Sequence, residues 1–104
     1  MSTASPRLIG DPERRGSTEL RAFRFDPAHS GTIANVDCKI YDDATDVDVT
    51  STVFGGSPTV SLASGVISTN APTALRAEQV LRVHFIFTVD GAPYNEFRKV
   101  IVEK

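Results

Sequence analysis

The most regular alternation of apolar and polar side chains lies near the C-terminal end, in residues 79–89 (QVLRVHFIFTV). Every second residue on one side is large and apolar, and the set is Leu81, Val83, Phe85, Phe87 and Val89. A period of two is typical of a strand with one buried face, so we predict that this strand is the centre of the core. Asp90-Gly91 predicts a tight turn, and residues 94–103 (YNEFRKVIVE) predict the return strand of a hairpin.

The opposite side of the same strand is unusually apolar for a solvated surface. It carries Val80, Arg82, His84, Ile86 and Thr88. An antiparallel sheet with one face in water normally has polar residues on that face. Val80 and Ile86 therefore predict that part of this face is covered by a neighbour.

Five earlier segments also have strand character. They are residues 19–25 (ELRAFRF), 32–41 (TIANVDCKIY), 46–54 (DVDVTSTVF), 59–62 (TVSL) and 66–70 (VISTN). In the second of them, the residues expected to point inward are Ala34, Val36, Cys38 and Ile40. A glycine between the last two segments predicts a hairpin, and residues 72–81 (PTALRAEQVL) predict a turn or a single helical turn before the long strand. Seven short strands without a βαβ unit predict an all-β fold, a seven-stranded immunoglobulin-like β-sandwich over residues 19–104.

Residues 1–18 are predicted to form an extended or flexible N-terminal arm. Their prolines and glycines disfavour a helix, and they lack the alternation of a strand. Such an arm can become ordered against a partner, at an entropic cost that is met on binding. We therefore expect deletion of residues 1–18 to leave the fold intact and to abolish assembly.

Composition and charge exclude several classes of protein. The 104 residues suit one domain, and the formal net charge is −2. Residues 29–70 contain one lysine and five aspartates, a net charge of −4, while each flanking segment is close to +1. Without a clustered basic face we expect no specific nucleic-acid binding, but contact with a protein of complementary charge is compatible. No apolar run approaches the length of a membrane span, and residues 1–16 lack the apolar stretch of a signal peptide.

Cys38 is the only cysteine, so an internal disulfide is impossible. This disfavours a secreted, disulfide-linked module and favours folding in a reducing cytoplasm. Since Cys38 is expected on the inward face of a strand, we predict a buried, unreactive thiol.

Candidate chemical sites are poorly supported. The acidic run 41–48 (YDDATDVD) offers oxygen ligands for Ca²⁺, but it lacks the spacing of an EF-hand, so a solvated turn or a charged edge facing a partner is favoured. His29 and His84 lack the paired spacing of a zinc site. A nucleophile, a base and oxyanion donors do not occur together. We predict no catalytic residue, no metal and no cofactor, and a protein that is not an enzyme.

Three segments carry a resemblance to a known class of proteins. They are the lead-in with ELRAFRFD (19–26), GTIANVDCKIYD (31–42), and VISTNAPTALRAEQVLRVHFIFTVDGAPYNEFRKVIVE (66–103). In this arrangement the chain resembles small immunoglobulin-like virion proteins of tailed bacteriophages, of the neck, head–tail or fibre–tail adaptor type. The third segment departs from the pattern at Glu78 and Val80, where that class usually has Gly and Tyr. The class has no catalytic residues to transfer.

The resemblance implies a structural protein that acts by binding. The expected partners are other virion proteins (portal, neck, tail or capsid subunits) and further copies of the chain, within a virion assembled in the host cytoplasm. Candidate partner-binding residues are Arg14, Arg15, Asp42, Asp43, Asp46, Arg82, His84 and Ile86. A capsid decoration or cement protein is an alternative. An immunoglobulin-like adhesion or carbohydrate-binding module is an alternative of another class, with Tyr41 and Tyr94 as its plausible exposed aromatics.

Overall fold

A computed structural model describes residues 6–103 of the chain; residues 1–5 of the predicted arm and Lys104 lie outside the described part. The described elements are strands β1 (Arg7–Leu8), β2 (Glu13–Gly16), β3 (Arg24–Phe25) and β4 (Ile33–Asp42), helix α1 (Thr50–Phe54), and strands β5 (Val60–Ala63), β6 (Val66–Thr69), β7 (Val80–Val89) and β8 (Ala92–Glu103). They form two sheets, so the all-β, two-sheet prediction is confirmed.

The large sheet is built on the predicted C-terminal hairpin. β7 pairs antiparallel with β8 on one side and with β4 on the other. Asp90 and Gly91 join β7 to β8 with positive φ angles of 50° and 84°, as a tight hairpin turn that follows the twist of the strands requires. β1 and β2 complete the sheet by pairing in parallel with β8.

The small sheet has the order β3-β6-β5 and covers one face of the large sheet. Its predicted hairpin is confirmed, with Ser64 and Gly65 in the turn between β5 and β6. Phe25 of β3 stacks on Phe85 of β7, with 5.1 Å between the ring centroids. Of the two alternatives for residues 72–81, the turn is found, at Ala77 and Glu78, and the single helical turn is not.

The inward face of β7 forms the core, as the alternation predicts. All five residues of this face are less than 9% exposed, and they are Leu81, Val83, Phe85, Phe87 and Val89. Cys38 and Ile40 of β4 lie beside them with no exposed surface. Each such side chain contributes roughly 1.5–3 kcal/mol to the free energy of folding through burial.

The predicted inward face of β4 is correct for all its members except Ala34. Cys38 and Ile40 are buried and Val36 is partly buried against the core, but Ala34 is exposed. The register of β4 with β7 shifts between Ala34 and Asp37, and Asn35 within this irregularity has a φ of 54°. An extra residue in one strand reverses the alternation beyond it, which explains why Ala34 points outward.

The prediction of a strand over residues 46–54 is wrong, because this segment contains α1 and only one isolated bridge, from Asp48 to Tyr41. The Asp48 carboxylate accepts hydrogen bonds from the Thr50 amide (2.9 Å) and hydroxyl (2.6 Å), and these bonds lower the pKa of Asp48. Val53 and Phe54 are adjacent and both buried, which a strand with one buried face does not allow. Gly55 ends the helix in the left-handed conformation.

The predicted strand over residues 19–25 is also shorter than expected. Only Arg24 and Phe25 pair as a strand, opposite Ser68 and Ile67 of β6. Phe23 is held by Thr69, whose hydroxyl oxygen accepts a hydrogen bond from the Phe23 amide at 3.1 Å. Phe23 is buried, while residues 19–22 run as irregular chain.

The chain before the first predicted strand (residues 6–18, called the lead-in) pairs with the large sheet over two segments that the sequence did not predict as strands. Arg7 and Leu8 pair with Glu96 and Phe97, and Glu13–Gly16 pairs with the end of β8. Arg15 of β2 points to the inside of the protein and is 1% exposed. Removal of residues 1–18 would uncover β8 and leave the space of Arg15 empty, so from the structure we expect it to destabilise the fold, in contrast to the expectation from the sequence.

Candidate binding surface

The outer face of the large sheet is the side that points away from the small sheet. Paired residues on neighbouring strands share a face, so the strand registers define its members. They are Leu8 of β1, Arg14 and Gly16 of β2, Ala34, Asp37, Lys39 and Tyr41 of β4, Val80, Arg82, His84, Ile86 and Thr88 of β7, and Pro93, Asn95, Phe97, Lys99, Ile101 and Glu103 of β8. Leu8 is 55% exposed, and Val80, Ile86, Phe97 and Ile101 are partly exposed.

The acidic turn after β4 brings two predicted residues onto this face. Arg82 binds Asp46 through its Nη2 atom, and its Nε atom lies 3.6 Å from Asp43. Lys99 reaches the other oxygen of Asp43 at 3.4 Å. The Asp46 side chain is 78% exposed, so it remains accessible to a partner.

Asp42 has a different role from its acidic neighbours. Its Oδ1 atom accepts hydrogen bonds from the amides of Ala44 (2.9 Å) and Thr45 (3.1 Å), and its Oδ2 atom accepts one from the Gln79 side chain (2.6 Å). The Gln79 bond is the main cause of a lowered Asp42 pKa. The carboxylate thus shapes its own turn and ties it to the chain before β7. We assign it a structural role.

His84 lies in the floor of the outer face and is only 4% exposed. Its ring stacks on Phe97, with centroids 4.8 Å apart, and meets the edge of Tyr41 at 5.1 Å. The Nδ1 atom lies 2.9 Å from the Asn95 side-chain oxygen, so a hydrogen bond between them requires a proton on Nδ1. Burial lowers the pKa of His84. The prediction of His84 as a partner-binding residue is corrected, because residues of its own chain cover it.

A groove of about 340 Å³ joins four of the predicted residues. Its lining consists of Pro6, Tyr41, Asp46, Arg82, His84, Ile86 and Asn95. The groove combines aromatic and apolar side chains with the charged side chains of Arg82 and Asp46, and such a combination suits a side chain of another protein. Asp43 lies next to the groove, because its carboxylate is 3.6 Å from the Nε atom of the lining residue Arg82.

Arg14 and Arg15 are adjacent in sequence but lie on opposite faces of β2. The Arg14 side chain is 64% exposed on the outer face, 3.6 Å from Glu103. The Arg15 side chain has no exposed surface; it binds Glu13 at 2.5 Å, donates to the Arg21 carbonyl at 2.7 Å and lies over the Phe23 ring. Arg14 is accessible to a partner, and the expectation of an accessible Arg15 is corrected.

Sequence reasoning missed a polar cleft between the sheets. Glu96 is 3% exposed, and its Oε2 atom lies 3.2 Å from His29 Nε2 and 3.9 Å from Arg7. Together with Arg98 these side chains line a cavity of about 360 Å³. The sequence feature that could have revealed Glu96 is the hairpin register. A turn at Asp90-Gly91 places Glu96 opposite Phe85 and hence on the inward face. These contacts tie β1 and the chain near His29 to β8.

Among residues 6–103, no group of three or more His, Cys, Asp and Glu side chains is arranged to hold a metal ion. None of the described helices has the length and apolar character needed to cross a membrane.

Cys38 is inaccessible in the core. Burial raises the pKa of its thiol to about 12, and the neighbouring Asp37 carboxylate acts in the same direction. Because the thiolate is the reactive form, we expect no reaction with a disulfide reagent at about pH 8 in the folded protein and immediate reaction in guanidinium chloride. Absorbance of the released thiolate measures both rates. Rapid labelling of the folded protein would contradict this placement of Cys38.

Comparison with known proteins does not assign the chain to a family. No family model matches the sequence, and no curated protein or solved structure is significantly similar to it.

Proposed function

We propose that the chain is a non-enzymatic structural protein of a tailed-bacteriophage virion. In this proposal it has an immunoglobulin-like sandwich, binds at the head–tail neck or as a fibre–tail adaptor, and contacts portal, neck, tail or capsid subunits. The sequence resemblance supports the virion setting, and the two-sheet fold is compatible with it. The mechanism requires only association between protein surfaces.

The observation that carries the binding role is the anatomy of the outer face. Val80, Ile86, Phe97 and Ile101 lie on its two central strands and Leu8 lies on the edge strand β1, and all of them are at least partly exposed. Arg14, Asp43, Asp46 and Glu103 lie towards its margins, whereas Arg82 and Lys99 cross the central strands, where both contact the Asp43 carboxylate. Protein–protein interfaces are built around apolar side chains with a polar rim, and the four apolar residues of β7 and β8 supply such a centre.

The rigid part of this surface is the β7–β8 hairpin, whose inward residues are fixed in the core. A preformed surface loses little conformational entropy on binding, so more of the contact energy appears as affinity. Leu8 extends the surface across β1, which lies on the far side of β8.

The proposal is tested on virions of the bacteriophage that encodes the chain. An antibody against the protein should detect it in density-purified particles, and immunogold microscopy should locate it at the neck or the tail. Labelling over the whole capsid would instead support the decoration alternative. Complete absence from purified particles would refute a virion role.

The surface itself is tested with two matched substitutions. Leu8→Glu places a charge on the outer face, while Leu62→Glu places it on β5 of the small sheet, where Leu62 is 38% exposed. We expect Leu8→Glu to reduce incorporation into particles at least about tenfold, since one buried charge at an interface costs more than 1.4 kcal/mol. Leu62→Glu should be incorporated normally. Equal incorporation of both variants would exclude the outer face as the binding surface.

A further inference from the structure

We infer that the outer face binds the outer face of a second copy of this chain, about a two-fold axis parallel to the strands. The inference deepens the proposed function by naming the partner of this surface. It rests on that proposal only in requiring that the protein act by association. It does not depend on the particle in which the protein works.

The registers place opposite charges at opposite edges of the outer face and at the same level along the strands. Arg14 of β2 pairs with Ile101 of β8, and Ile101 pairs with Val80 of β7. The amide of Asp43 donates to the carbonyl of Val80 at 2.9 Å. Arg14, Ile101 and Val80 thus form one row across the sheet. Arg14 lies at one end of this row, and the acidic turn that contains Asp43 and Asp46 lies at the other end.

A two-fold rotation about an axis parallel to the strands makes this arrangement self-complementary. It exchanges the β4 edge of one copy with the β2 edge of the other and keeps each level along the strands. Arg14 of each copy then lies against the acidic turn of its partner, so the pair forms two equivalent contacts. A two-fold axis perpendicular to the strands would exchange the two ends of the sheet and lose this match.

The side chains needed for these contacts are accessible. Asp46 is 78% exposed and Arg14 is 64% exposed. Both already take part in an ion pair within the chain, but surface pairs contribute little energy and are readily shared. A carboxylate offers about four lone-pair positions, so Asp46 can keep Arg82 while it binds a second arginine.

The apolar centre of the outer face supplies the rest of the contact. Leu8 and Phe97 form a row two levels away from Arg14 along the strands, beyond the row of Lys99 and Arg82. Leu8 is the most exposed of these side chains, at 55%. In the two-fold arrangement Ile101 of one copy faces Val80 of the other, and in the next row Lys99 faces Arg82, where the Asp43 carboxylate of each chain already balances part of the positive charge.

The size of the face predicts a weak dimer. Four strand positions about 4.8 Å apart, each with about ten residues of about 3.4 Å, give roughly 600 Å² per copy. The total of roughly 1,200 Å² is at the lower end of the range for specific protein interfaces. Association should therefore depend on protein concentration over a range accessible to sedimentation.

Charge reversal on each side of the contact tests the arrangement by sedimentation equilibrium. The variants are Arg14→Glu and Asp46→Arg, each at an exposed position. Either one places like charges together twice per dimer, so each should weaken self-association about 100-fold or more. Mixed in equal amounts, the two variants should form a one-to-one heterodimer, because each contact again joins opposite charges. The double variant should regain self-association.

Three results would overturn the inference. They are a wild-type chain that stays monomeric at about millimolar concentration, single variants that dimerise as well as the wild type, and a mixture that remains monomeric. The particle experiment is independent of all three, because a monomer can still be incorporated into virions. Conversely, a dimer absent from virions would refute the virion role and leave the self-association intact.

Discussion

Replacement of Phe85 by alanine should lower the free energy of unfolding by about 3–5 kcal/mol, because it removes a ring from the centre of the core. Phe85 is 3% exposed, stacks on Phe25 and lies opposite Cys38 and Glu96 on the neighbouring strands. Domains of this size are stable by about 5–15 kcal/mol, so the loss is a large fraction of the total. Urea denaturation followed by circular dichroism measures the change.

Phe97→Ala is the matched control for this prediction. Phe97 lies on the same hairpin but on the outer face, where it is partly exposed. Its removal leaves a gap that solvent can fill, so the loss of stability should be clearly smaller than for Phe85. An equal loss for both variants would mean that the two faces of β7 and β8 are not inside and outside as described.

The second large effect is expected for Arg15. Arg15→Ala should destabilise the fold by about 3 kcal/mol, because it removes a buried cation and leaves its partners without it. Those partners are the Glu13 carboxylate and the Arg21 carbonyl, and the aliphatic part of the side chain also fills space beside Phe23. These contacts join β2 to the chain before β3. We therefore expect their removal to weaken the packing of the whole lead-in against the large sheet.

Arg14→Ala supplies the control, with the same change one position earlier. Arg14 has one exposed ion pair, with Glu103, and such pairs contribute about 0–1 kcal/mol. Thermal unfolding of the two variants at a protein concentration that keeps both monomeric compares them directly. A stable Arg15→Ala variant, or one no less stable than Arg14→Ala, would show that the lead-in is not anchored in the large sheet.

The sequence predicted the long hairpin well, because strand alternation is uninterrupted in β7 and the turn has residues that favour positive φ angles. The glycine of the short hairpin at Ser64 and Gly65 gave the same kind of turn signal. A period of two is enough to identify the buried side of β7, but not that of β8, where Glu96 lies inward and Phe97 outward.

Other elements depend on contacts that no local pattern contains. The irregularity near Asn35 reverses the face of β4 within a single run of alternating residues. Residues 46–54 have β-branched side chains typical of a strand, yet Asp48 and Thr50 fix a helical turn that buries Val53 and Phe54 together. Tertiary packing outweighed the weak local preference.

The candidate site was predicted in part. Asp43, Asp46, Arg82 and Ile86 were chosen from separate segments, and the sheet brings them onto one surface with His84 beneath them. Arg15 was chosen with Arg14 because the two form a basic pair in sequence. The opposite faces of Arg14 and Arg15 follow only from the parallel pairing of β2 with β8. The sequence of the lead-in contains no pattern that predicts this pairing.

The most direct test of the account is hydroxyl-radical footprinting of the isolated chain at low and high protein concentration. The account predicts that Leu8 and Phe97 are oxidised at low concentration and protected at high concentration, while Phe85 and Phe87 are unreactive at both. Oxidation of Phe85 as fast as Phe97 in the folded chain would contradict the assignment of the core. Oxidation of Leu8 and Phe97 at rates independent of concentration would contradict association through the outer face.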